Sequence, residues 1–204
     1  MNLRLLLQTA ALAVLSLVPL RAADAPAADA AVMLRKAVDE VLAIAYDTHA
    51  ATTPLAARVR PALEKYFNFE SITRRAVGPG WRDFTPEQRA RTTTLFTDLV
   101  IRTYANRFEV GERPGITYAK AIVPDASRPT LRELPTTIDY AGKKYAVTYR
   151  VEHAGNNWLI YDVIIEGVSM ISNWRAQLTP LFQSGGAAAV IAALEKNLSQ
   201  EPAK

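Results

Sequence analysis

The sequence predicts an α+β domain, with helices packed over a curved antiparallel sheet of about four strands and an apolar space between the layers. Three observations predict it. Apolar residues recur at helical spacing in successive segments from Leu34 to Phe108. The pattern then switches to period two, with Tyr145, Val147, Tyr149 and Val151 alternating with Ala146, Thr148, Arg150 and Glu152. Helical spacing returns after Glu166-Gly167. Helices first, strands next and helices last make an α+β order rather than an alternating one. Helices folded over one face of a curved sheet leave a cone-shaped cavity.

The first segment reads as a secretory signal over residues 1–23. Arg4 supplies the positive start, Leu5 to Leu20 the apolar run, and small residues follow, with A-D-A and A-P-A competing as cleavage sites. The alternative, an uncleaved anchor, meets an apolar run that is short for a membrane span. Residues 24–31 are Ala/Asp/Pro-rich and read as a flexible mature N-terminus, residues 32–198 as one domain and 199–204 as a tail. Without Arg4 and Arg21 the formal charge of +4 becomes +2. That is close to neutral and argues against a nucleic-acid partner, which selects a concentrated basic face. The chain has no cysteine, so it carries no disulfide framework, no thiol chemistry and no lipoprotein processing site.

The first helix places Leu34, Val38, Val41, Leu42, Ala45 and Tyr46 on one face. Thr53-Pro54 has the form of a cap followed by proline at the first helical position, opening a helix lined by Leu55, Val59, Leu63 and Tyr66. Pro61 is expected to bend or split it. Phe67-Asn68-Phe69 leads into a short helix that Gly78-Pro79-Gly80 stops. Thr85-Pro86-Glu87-Gln88 is a capping box, and the helix it starts is expected to reach Phe108 with Leu95, Phe96, Leu99, Val100 and Tyr104 facing one way. Strands follow at Gly115–Val123, Pro135–Tyr140, Tyr145–Val151 and Trp158–Glu166, with turns at Ala141-Gly142-Lys143 and Gly155-Asn156-Asn157. Two helices close the chain, Val168–Phe182 and Gly186–Leu198.

The residues that carry covalent chemistry are missing. His49 and His153 have no metal spacing, and both read as solvated surface histidines. There is no G-x-S-x-G, no phosphate loop and no dinucleotide fingerprint; Ser169, after Gly167, reads as a helix cap. Catalytic residues, metal ligands and cofactors are therefore all expected to be none. One enzymatic reading stays open. On an NTF2-like cone, Asp162 or Asp98 can serve as base and Tyr104 or Tyr149 as oxyanion donor. Asp162 can equally bond a backbone group or an arginine at a helix end.

Three blocks then carry a resemblance: G-x-x-W-R-x-x-T-P-E-Q-R at Gly78–Arg89, F-x-x-L-x-x-R-T-Y-A at Phe96–Ala105, and Y-D-V-x-x-E-G-V-S at Tyr161–Ser169. With N-W-R at Asn173–Arg175 and Gly185-Gly186 before a last amphipathic helix, the chain resembles the MlaC/Ttg2 (toluene tolerance) family over Val32–Leu198. It departs in the Pro-rich stretch from Gly111 to Leu134, and at Gly80, where a larger residue is expected. The resemblance implies a periplasmic carrier that needs no cofactor. It would shuttle phospholipid between an outer-membrane lipoprotein/porin complex and an inner-membrane ABC transporter with its substrate-binding component. A hopanoid or another lipid is an alternative cargo, and an adaptor that binds only proteins is an alternative role. Each exposed methylene costs about 0.8 kcal/mol in water, so such a carrier must enclose the acyl tails. That calls for a cavity at or beyond about 1,000 Å³. Its expected wall is Trp81, Phe96, Leu99, Val100 and Tyr104 from the helices, with Val147, Tyr149, Val151, Ile160, Val163, Ile165 and Val168 from the sheet and Ile171 at the end. The alternative for each is a place in an ordinary packed core. Arg82, Arg102, Arg150 and Arg175 are the headgroup candidates, because arginine pairs bidentately with phosphate.

Overall fold

The computed structural model describes residues 25–47, 49, 52–105 and 113–200, with side chains from residue 29 onward. The signal segment 1–23, residues 106–108 at the end of the helix expected to reach Phe108, and residues 201–204 lie outside the described residues. Among the described residues, five strands form one open antiparallel sheet in chain order: β1 (Gly115–Tyr118), β2 (Leu131–Tyr140), β3 (Lys143–Ala154), β4 (Asn157–Ile165) and β5 (Val168–Ser169). The turn between β2 and β3 has φ of 50° at Ala141 and 72° at Gly142, and the turn after β4 has 50° at Glu166 and 81° at Gly167. Two successive positive φ values match the right-handed twist of paired strands.

The sheet differs from the expected one in three places. Val168–Ser169, expected to open the last helix, pairs with β4 instead, and this short edge makes five strands where about four are expected. The strand expected over Gly115–Val123 pairs only to Tyr118 and returns as a single bridge between Ile122 and Glu133. β2 begins at Leu131 and carries Pro135 inside it. Within a strand, the nitrogen and carbonyl of one residue point to the same neighbour. The Pro135 carbonyl accepts from Ala119 at 2.9 Å. The missing N–H therefore faces the segment where β1 has already ended, and no inner ladder bond is lost.

The described residues form five α-helices beside the sheet: α1 (Ala25–Ala45), α2 (Leu55–Tyr66), α3 (Phe69–Val77), α4 (Pro86–Ala105) and α5 (Met170–Ser199). α1 starts at Ala25, and Ala30 is fully buried against the sheet, so part of the stretch read as flexible is helical. α2 starts one residue later than expected, with Pro54 as its cap residue, and Pro61 does not split it. The exposed Pro61 removes only its own bond to the preceding turn. The capping box of α4 forms in full: the Gln88 N–H donates to Thr85 Oγ1 at 3.2 Å and the Thr85 N–H to Gln88 Oε1 at 2.9 Å. Ser169 caps α5 by accepting from the Ser172 N–H at 3.1 Å. Gly185 and Gly186 break α5 into the two expected halves, since φ of 61° with ψ of −152° at Gly186 is open only to glycine.

Two apolar clusters result. The larger joins α2, α3, α4 and α5 to Tyr161 of β4; the smaller joins α1 to Leu134, Val151, Trp158 and Ile160 of the sheet. Gly80 belongs to the short 3₁₀ segment Gly78–Asp83, and the room its side chain would take is filled by the ring of Phe182. A Cβ there would lie 2.5 Å from that ring, which stacks on Phe84 at 5.9 Å. Gly80→Ala is expected to lower stability by about 1–3 kcal/mol in urea unfolding. Combining it with Phe182→Leu should recover part of that loss, whereas additive losses would place the strain elsewhere.

Candidate functional site

Four apolar faces converge without meeting. α1 contributes Leu34, Ala37, Val38 and Val41; α2 contributes Val59, Leu63 and Tyr66; α4 contributes Val100, Ile101, Tyr104 and Ala105. Each set repeats at helical spacing and so shares one side of its helix. The sheet supplies Ile138, Val147, Tyr149, Ile160, Val163 and Ile165, with Phe67, Phe69 and Met170 closing the ends. On β3 and β4 the lining residues alternate, and Val147 lies opposite Ile165 and Tyr149 opposite Val163. The space they bound has a volume of about 300 Å³ and no charged side chain in its wall. This is the low end of the range for ligand sites, not the 1,000 Å³ expected.

The cavity reaches the surface at Ile165, which lines it while 40 % exposed. Val168, its cross-strand neighbour, is 64 % exposed. Beyond Ile138 the β2–β3 hairpin carries Lys143 and Lys144, both exposed.

Of the residues expected to line a cavity, Val100, Tyr104, Val147, Tyr149, Ile160, Val163 and Ile165 stand on this wall. Trp81, Phe96, Leu99, Val151 and Ile171 do not: they are packed into the two clusters. Phe96, for example, meets the edge of Trp174 at 5.2 Å, and Trp81 packs on Phe84 at 5.2 Å. α4 is buried on two sides, with Leu95, Phe96 and Leu99 among the packed core and Val100, Ile101, Tyr104 and Ala105 facing the cavity. Val168 lies outside, on the surface strand β5. The contributions of α1 and α2 are the part that the sequence reading missed. Their apolar faces are visible in the spacing, but spacing alone does not distinguish a packed face from a cavity wall.

The four arginines expected near a headgroup do not line the cavity. Arg102 donates to the carbonyls of Asn197, Leu198 and Gln200 and so caps the end of α5. Arg175 donates twice to the Arg75 carbonyl at the end of α3. Arg150 pairs with Glu133 at 2.8 Å and Asp162 at 3.3 Å. Arg82 is exposed on the 3₁₀ segment.

Asp162 is 2 % exposed, and its carboxylate is fully engaged. It accepts from Ser169 Oγ at 2.7 Å, the Ile171 N–H at 3.1 Å and Arg150, which places it at the start of α5 and outside the cavity. Asp98 pairs with Arg60 at 2.6 Å on the outer side of α4. Neither carboxylate faces the space where a substrate would sit. The phenols of Tyr66, Tyr104 and Tyr149 are the polar groups of the wall. Tyr66 donates to Glu40 at 2.8 Å, and Lys65 meets the same carboxylate at 2.7 Å. These hydrogen bonds, Lys65 first, hold the Glu40 carboxyl below its usual range. Among the described residues there is no cluster of His, Asp or Glu arranged for a metal, and no helix long and apolar enough to cross a membrane.

Burial pushes the Tyr149 phenol up to about 12. The folded state therefore keeps this proton at pH values where an unfolded chain, titrating near 10, has lost it. Stability is full below about pH 10 and falls as pH rises towards about 12. Tyr46, Tyr118 and Tyr161 are raised in the same direction, also by burial first. Tyr149→Phe should make the alkaline loss of stability in urea shallower without abolishing it; an unchanged slope would mean that the hydroxyl is solvated.

Comparison with known proteins places this architecture in company. The family model described as MlaC protein matches residues 35–196. The toluene tolerance protein Ttg2D of Pseudomonas putida is 29 % identical over 105 residues, which is 52 % of this chain and 48 % of that protein, so the match spans about half of the relative's length. A phospholipid-binding protein of Ralstonia solanacearum, solved in complex with a phospholipid, superposes with a TM-score of 0.73 at 26 % identity, covering 83 % of this chain and 96 % of the other.

Proposed function

The chain belongs to the MlaC family, and from that premise we propose that it is a lipid carrier of the periplasm that holds phospholipid acyl chain in the apolar cavity. The observation that carries this reading is the cavity wall itself: apolar faces from α1, α2, α4 and the sheet, open at Ile165 and free of charge. Such a wall stabilises methylenes, and its polar groups are the phenols of Tyr66, Tyr104 and Tyr149 rather than a carboxylate or histidine base. Asp162 and Asp98, the two carboxylates considered as bases, both lie elsewhere, which supports binding over catalysis. The phospholipid held by the Ralstonia protein supports phospholipid as the cargo class.

In this reading the signal segment 1–23 directs export and is removed, leaving residues 24–31 ahead of the lipid-binding domain 32–198 and the tail 199–204. The carrier takes lipid from an outer-membrane lipoprotein/porin complex and exchanges it with an inner-membrane ABC transporter complex. The headgroup stays wet at the Ile165 mouth, near Lys143 and Lys144, rather than at the four arginines first considered. At about 30 Å³ per water-sized group, about 300 Å³ accommodates on the order of ten such groups. That is the scale of one acyl chain.

The test is lipid content after purification from a bacterial periplasm without detergent, by native mass spectrometry and solvent extraction. The wild-type protein should carry phospholipid near one-to-one; a hopanoid in the extract would change the cargo and keep the mechanism. Val163→Asp, on the cavity wall and half-buried, should fold and carry no lipid. Leu99→Asp, in the packed core at 5 % exposure, should instead fail to fold. A Val163→Asp protein that still carries stoichiometric phospholipid would sink the assignment of this cavity.

A further inference from the structure

Behind the cavity lies a second space, an open groove between α2 and α4 whose walls include Arg60, Glu64, Thr97 and Asp98. It is polar: Arg60 bridges Glu64 at 3.0 Å and Asp98 at 2.6 Å across it. Phe67 and Phe69 line both spaces. Their rings stack with centroids 5.8 Å apart, and the pair stands between the apolar cavity and the charged groove. Phe69 is largely enclosed in the larger cluster, whereas Phe67 is half-buried and packs against both clusters. The partition stands at the end of the cavity away from its mouth. Phe67 pairs with Ile160, five residues along β4 from Ile165, a span of about 16 Å at strand spacing.

The backbone under Phe67 is pinned by hydrogen bonds, whereas its ring is held by packing. Its N–H donates to the Leu63 carbonyl at 2.8 Å, and the Asn68 N–H donates to the Ile160 carbonyl at 2.9 Å. Asn68 also caps α3 through Ser71 and donates to Glu152 at 3.0 Å. A ring held at a fixed root between an apolar and a polar space acts as a floor. A chain that ends short of it leaves a void, and a chain that passes it meets an ion pair in water.

Resting on the carrier reading above, we propose that Phe67 is the floor of the cavity and sets the length of acyl chain that it accepts. Removing the ring lengthens the cavity by the space that the ring now fills and favours longer chains; enlarging it raises the floor and favours shorter ones. Burial of one more methylene changes binding roughly fourfold, so a shift of even one or two methylenes is readable.

The experiment offers the wild-type protein, Phe67→Ala and Phe67→Trp to vesicles of phosphatidylglycerols that differ only in saturated chain length, mixed in equal amounts. Bound lipid is read by native mass spectrometry, and folding by thermal unfolding. The Ala variant should shift the bound distribution to longer chains and the Trp variant to shorter ones. Phe67→Leu keeps an apolar contact to both clusters and should give a smaller shift in the Ala direction, which preserves the test where the Ala variant does not fold. Variants that bind lipid with the wild-type length distribution would overturn the proposal, as would a loss of stability and occupancy with no change in length preference. A wild-type protein that takes up none of these lipids would overturn the carrier reading itself, a result distinct from an unchanged distribution.

Discussion

The rest of the structure depends on an apolar space that the protein's own side chains do not fill. Apolar walls that face each other across an open space forgo the burial, about 25 cal/mol per Å², that closing would give them. Walls under such a penalty close unless other interactions hold them apart. Here those interactions lie outside the cavity. Glu40 of α1 takes Lys65 and Tyr66 of α2, and Arg58 of α2 donates to the Ile44 and Asp47 carbonyls at the end of α1. Asn68 and Arg75 both reach Glu152 of β3, fixing the α2–α3 junction against the sheet. The exposed pairs among these contribute modestly one by one. Together they set a spacing that apolar packing alone would shorten. A bound acyl chain removes the penalty, which ties the stability of the fold to its occupancy.

The polar residues follow the same logic. Charged groups that the sequence offered to the site are employed as fasteners elsewhere. Arg102 and Arg175 close the ends of two helices, and Asp162 gathers Ser169, Ile171 and Arg150 at the turn from sheet to α5. Asp162 can do so because the register slips between Arg150 and Val151, leaving Tyr161 without a partner position on β3. The slip lets Val163 and Ile160 both face the cavity while Tyr161 turns to the larger cluster, where Arg75 lies 4.1 Å from its ring centre. One irregularity in β4 thus separates the apolar wall from the polar joint beside it.

Much of this was legible in the residues, and the limits have physical causes. The capping box at Thr85, the cap at Ser169, the break at Gly185-Gly186 and the alternation of Tyr145 to Val151 depend on local chemistry, which a sequence states directly. The fifth strand was not legible, because Val168-Ser169 is too short to show a period. Neither was the start of β2 at Leu131, since Pro135 reads as a boundary until the end of β1 is known. For the candidate site, the sheet half of the wall was readable from alternation. The helical half was confused, because Phe96 and Leu99 are as apolar as Val100 and Ile101, and only tertiary packing decides which pair meets α5 and which meets empty space. The partners of the arginines were not readable either: a guanidinium suited to phosphate is equally suited to the helix-end carbonyls that Arg102 and Arg175 take.

The most direct test of the account is photo-crosslinking with a phospholipid that carries a diazirine in one acyl tail, followed by mapping of the labelled peptides. The cavity described here requires the label on residues such as Leu34, Val38, Leu63, Ile101 and Val163, which lie on three helices and the sheet and share nothing but that space. Label confined to exposed apolar residues such as Val32, Ile122 and Val123, with the cavity wall unmarked, would contradict it.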